Sequence, residues 1–75
     1  MANKDNNKVN KELGDQLKSA REYAKLTQAD VASASGVHVN FYARVERGEE
    51  TPSIESLQKI MKALKIKTLN IKSEN

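Results

Sequence analysis

The sequence predicts a single all-α domain, and three observations carry that prediction. Apolar residues recur at three- and four-residue steps through most of the chain, which is the spacing of a helix face. Helix-starting and helix-stopping residues alternate along it: Thr27, then Gly36 and His38, then Gly48, then Pro52 with Ser53. A chain of 75 residues without cysteine has no disulfide to lean on, so packed helices must hold it.

Residues 1–10 contain four asparagines, three charges and one valine of any size. That is too little apolar surface to offset the entropy of ordering, so they are expected to form a disordered tail before a domain spanning 11–71. Helix one runs from Lys11 to Lys25 with Leu13, Leu17, Ala20 and Ala24 on one face. Thr27 is an N-cap, with Asp30 completing a capping box and Leu26 and Val31 spaced as a hydrophobic staple. Helix two therefore covers about Gln28 to Ser35 and ends at Gly36.

His38 stands at the next cap, with Val37 and Tyr42 as its staple, so helix three runs from about Val39 to Arg47 and stops at Gly48. Pro52 breaks the chain and Ser53 caps helix four, whose apolar register is Ile54, Leu57, Ile60, Met61 and Leu64. Beyond it, Ile66, Leu69 and Ile71 can close the core, extend as a strand or meet a second subunit. Residues 72–75 form a short tail.

Composition excludes more than it selects. No apolar run approaches the roughly 20 residues that span a bilayer, and the N-terminus lacks the apolar stretch of a secretion signal, so the expected location is the cytoplasm. With no cysteine, a single histidine, no clustered acid pair and no phosphate-cradling glycine loop, no enzyme is expected, and neither a cofactor nor a metal site. His38 alone invites a metal or pH-switch reading, but no second ligand accompanies it. The net charge of +3 is spread along the chain, permitting a nucleic-acid partner without requiring one.

Pattern is more specific than charge. Residues 27–48 form two short helices joined by a glycine-containing turn, an arrangement that makes the second helix cross the first steeply and stand at the surface. At about 100° per residue, Phe41, Tyr42 and Val45 fall on one side of helix three, and Val39, Asn40, Ala43, Arg44 and Arg47 on the other. The second set has the chemistry of a helix lying in the DNA major groove. Asn40 can bond an adenine, Arg44 a guanine or a phosphate, and Val39 can pack on a thymine methyl. Lys4 and Lys8 are the only residues of the N-terminal segment able to meet phosphates.

The ordered set Leu26-Thr27-Gln28, Val31-Ala32, Gly36-Val37, Val45-Glu46-Arg47-Gly48 and Pro52-Ser53, followed by Leu57, Ile60 and Ala63-Leu64, resembles the Xre-type helix-turn-helix family of phage lambda repressor and Cro DNA-binding domains. The likeness covers about Leu13 to Ile71 and implies a compact bundle of four or five helices. It implies base-reading positions at Val39, Asn40, Ala43 and Arg44. It further implies phosphate-binding positions at Gln28, Arg47 and Thr51, and a structural ion pair between Arg21 and Glu46. Three positions depart from the usual pattern: His38 at a cap where serine, threonine or aspartate is commoner, Val39 for a polar reader, and Lys65 for a terminating glycine.

The function expected from these readings is sequence-specific binding of double-stranded DNA by a transcriptional regulator, a repressor or controller. A homodimer on a two-fold symmetric operator follows from the few base pairs one domain reads, with Leu64, Ile66, Leu69 and Ile71 as the candidate seam. The alternative is an antitoxin-like module whose partner is a toxin or another protein.

Overall fold

The computed structural model describes residues 4–69, which form helices α1 (Lys4–Tyr23), α2 (Gln28–Ser35), α3 (Val39–Glu46) and α4 (Ile54–Leu64). The all-α architecture is as expected, with four helices among the described residues. α2 packs against α3 and α4, and α1 closes the other side against the same two. Each helix sends two side chains into one shared core: Leu13 and Leu17, Val31 and Ala32, Tyr42 and Val45, Ile60 and Leu64. Burying a side chain the size of leucine contributes about 1.5–3 kcal/mol, so this cluster is the main support of the fold.

The caps set the angles between helices. Thr27 accepts a hydrogen bond from the Asp30 backbone N–H at 3.0 Å, while its own N–H donates to the Asp30 carboxylate at 2.9 Å. That second bond holds the Asp30 carboxyl below the usual carboxylate range. At the other end of α2, Gly36 adopts φ 72°, a left-handed conformation that glycine takes without a Cβ penalty. The Val37 N–H then returns to the Ala32 carbonyl at 3.0 Å, and the chain turns into α3 within two residues.

Several expectations need correction. Residues 4–10 are helical rather than a disordered tail; residues 1–3 lie outside the described residues, as do Ile71 and residues 72–75. The segment contains neither glycine nor proline, and extending an existing helix adds a hydrogen bond for each residue fixed. Asn10 is tied down as well, donating from its amide to the Thr51 hydroxyl at 2.7 Å. Ala24 is exposed rather than core, because α1 ends at Tyr23 and Lys25 turns left-handed at φ 62°. Ile54 is 75% exposed, standing in the first turn of α4 away from the core.

Of the C-terminal alternatives the strand falls for residues 66–69, which form none. Ile66 and Leu69 pack half-buried against the core, and Leu64 is buried within it, so these three close the monomer first. Lys65 takes the left-handed conformation, φ 60°, that would suit the glycine it replaces. Lys65→Gly should therefore stabilise the domain by about 0.5–1 kcal/mol, because the Cβ strain outweighs glycine's entropy cost. Urea unfolding of the two proteins checks this, and a loss of stability would show that the lysine is unstrained.

A candidate nucleic-acid interface on α3

α3 is amphipathic, and burial divides it as the helical angles require. Tyr42 and Val45 are fully buried and Phe41 is half-buried. On the opposite side Val39, Asn40, Arg44 and Arg47 are exposed and Ala43 is half-exposed between them. Asn40 and Arg44 are one turn apart on this face, with the small Ala43 beside them permitting close approach of a ligand.

His38 supplies the cap through its ring: Nδ1 accepts the Asn40 backbone N–H at 3.2 Å, filling the role that a serine or aspartate oxygen has elsewhere. The imidazole thereby satisfies one of the free N–H groups at the start of the exposed face.

The far end of α3 is fixed by Glu46, which is 5% exposed. Its carboxylate accepts from Arg21 Nε at 2.6 Å and Nη2 at 3.1 Å, and from the Gln28 amide at 3.0 Å. Arg21 Nη1 also donates to the Leu26 carbonyl at 2.9 Å. One acid thus joins α1, the α1–α2 loop, the first residue of α2 and the last of α3. Burial pushes the Glu46 carboxyl up, but the bonds from Arg21 and its neighbours outweigh burial and hold it below the usual range.

Beside it, burial pushes the Tyr42 phenol up, and its hydroxyl lies within electrostatic reach of Glu46 and Arg21. That hydroxyl makes no hydrogen bond of regular geometry.

Gly14 had no signal in the sequence. It lies inside α1, where a Cβ would sit 2.5 Å from the Val45 carbonyl oxygen and closer still to that of Glu46. α1 therefore crosses the end of α3 backbone to backbone.

Of the remaining candidate positions Arg47 and Thr51 are exposed and Gln28 is half-buried. Arg47 donates to Glu49 from Nε at 3.0 Å and Nη2 at 3.1 Å, and Arg44 Nε donates to Glu50 at 3.2 Å. Gln28 lines one polar cleft with Arg47, Lys11 and Lys18, the two lysines coming from α1. Sequence reading missed these lysines because only the packing of α1 on α3 brings them to that side. Among the described residues no cluster of acidic or histidine side chains is placed to hold a metal, and no helix is long and apolar enough to cross a membrane.

A family model described as Helix-turn-helix matches residues 17–70. The chain belongs to this helix-turn-helix family. The assignment agrees with the Xre-type resemblance, with α2 and α3 as the helix-turn-helix pair. Among solved structures, this helix-turn-helix protein is similar to the restriction-modification controller protein C.AhdI from Aeromonas hydrophila. The TM-score is 0.76 at 29% identity, over 77% of this chain and 88% of that one. It is also similar to a mutant of the restriction-modification controller protein C.Esp1396I, with a TM-score of 0.75 at 29% identity over 79% of this chain and 75% of that one. No curated protein sequence matches it significantly.

Proposed function

We propose that this helix-turn-helix protein is a transcriptional regulator, of the controller kind represented by its solved relatives, that reads double-stranded DNA with α3 in the major groove. The observation that carries the reading is the division of α3: a buried face with Tyr42 and Val45, and an exposed face with Val39, Asn40 and Arg44. A helix held by one face and by Glu46 at its end presents the other without paying for ordering on contact.

In this reading Asn40 bonds an adenine edge and Arg44 a guanine, while Val39 and Ala43 pack on thymine methyls. Gln28 stands at the N-terminus of α2, where free N–H groups and the helix dipole favour a phosphate. Its amide nitrogen carries a second hydrogen beyond the one given to Glu46. Arg47, in the same cleft as Gln28, and Thr51 also meet the backbone, the Thr51 hydroxyl keeping its own hydrogen to donate. Lys11 and Lys18 extend the phosphate contacts along α1.

The protein acts as a homodimer, since two copies reading half-sites about 34 Å apart cover enough base pairs to specify a site. Apolar hollows flank Ile66, one beside Met61 and one lined also by Ala20, Tyr23 and Leu64, and Tyr23 is 91% exposed; that surface supports pairing. Sedimentation with and without DNA tests this, and a monomer in both states would contradict it.

The direct test of the readers compares single-base-pair variants of a bound site. Arg44→Ala should cost about 1–3 kcal/mol and relax preference at one position, whereas Gln28→Ala should weaken all sequences alike. A uniform loss from Arg44→Ala would make Arg44 a backbone contact.

A further inference from the structure

We propose that Glu49 and Glu50 are built-in competitors for DNA phosphate, which hold Arg47 and Arg44 back from backbone contacts, and that the Arg44–Glu50 pair thereby widens the gap between the protein's own site and bulk DNA. This rests on the DNA-binding reading above.

The turn after α3 delivers the two acids. Gly48 adopts φ 78°, its N–H bonds to the Val45 carbonyl at 3.1 Å, and the Glu49 N–H returns to the Arg44 carbonyl at 2.9 Å. The chain thus folds back over the end of the helix, and each carboxylate reaches an arginine on the exposed face. Glu49 takes Arg47 with both oxygens, and Glu50 takes Arg44 with one. Arg47 holds the Glu49 carboxyl below its usual range.

These pairs do not resemble the Arg21–Glu46 pair. The side chains of Arg47 and Glu49 are 56% and 54% exposed, and those of Arg44 and Glu50 are 44% and 39% exposed. Exposed ion pairs contribute little to stability, so the fold does not require the acids. Their cost falls on DNA binding, because two carboxylates beside the phosphate-binding turn repel the backbone.

The consequence differs between sites. A carboxylate presents two oxygens to a guanidinium fork much as a phosphate does. On random DNA, Arg44 and Arg47 therefore exchange one anionic partner for another and gain little. On the correct sequence Arg44 exchanges Glu50 for two hydrogen bonds to a guanine edge, an interaction the carboxylate does not reproduce for any other base.

The test compares wild type with the E49Q/E50Q double variant on a mixed-sequence 20-base-pair duplex across a range of salt. A control carrying E22Q and E55Q makes the same change in net charge at two other exposed glutamates. The expected result is non-specific binding at least tenfold tighter for E49Q/E50Q than for the control, with the slope of log K against log salt steeper by about 1.8, since each freed arginine adds about 0.9. Urea unfolding should show the fold intact. Wild-type binding with E49Q/E50Q no tighter than the control would overturn the inference alone. No binding by any folded variant even at low salt would overturn the DNA-binding reading and this inference with it.

Discussion

Glu46→Ala is expected to lower the unfolding free energy by up to about 3–5 kcal/mol at neutral pH, because it leaves a part-buried guanidinium without its counter-charge. The Arg21 side chain is only 13% exposed, and without Glu46 neither it nor Gln28 retains its partner at the end of α3. Small domains are stable by about 5–15 kcal/mol in total, so the variant should be marginal at physiological temperature. Replacing the whole pair, as in Arg21→Met with Glu46→Leu, should recover much of the loss, since the desolvation penalty disappears with the charges.

The same residue sets a pH dependence. The Glu46 carboxyl lies below its ordinary range in the folded protein, so the unfolded chain takes up its proton first on acidification. The associated stability is present above the unfolded glutamate pKa and is lost as pH falls through the folded value. Urea unfolding from neutral pH down to about pH 3, for wild type and Glu46→Gln, checks the sign: the wild-type curve should fall more steeply. Parallel curves would remove Glu46 from the account of acid stability.

Gly14→Ala is expected to destabilise by about 1–3 kcal/mol or more, although alanine is the better helix former by roughly 1 kcal/mol. The added methyl meets the carbonyls of Val45 and Glu46, which are backbone and cannot rotate aside, so α1 must lift from α3. Each kcal/mol should appear as roughly 4–8 °C in a thermal melt. Ser19→Ala, at an exposed position of the same helix, is the control and should change little. A Gly14 variant more stable than wild type would show that the two helices do not cross so closely.

What the sequence made legible was whatever depends on neighbours along the chain. Thr27 with Asp30, Gly36, His38 and Ser53 mark helix ends through contacts within a few residues, and the structure has all of them at caps. The division of α3 was legible for the same reason, being a matter of angle along one helix. Pairing between distant elements was not. Asn10 belongs to a polar stretch resembling a tail until Thr51 is brought to it. Gly14 looks like a defect in a helix until α3 lies across it. The Arg44–Glu50 pair has no helical spacing, so only the turn at Gly48 reveals it. The Arg21–Glu46 pair was expected only through family resemblance, because its partners are 25 residues apart.

The central claim is that the exposed face of α3 reads DNA sequence, and selection from a random-sequence DNA library at near-physiological salt tests it most directly. At that ionic strength non-specific phosphate binding fades while base readout persists. The account predicts convergence on a two-fold symmetric motif, with preference lost at one position of each half-site when selection is repeated with Arg44→Ala. A folded protein that enriches no motif, or one that selects the same motif unchanged after substitution of both Asn40 and Arg44, would contradict it.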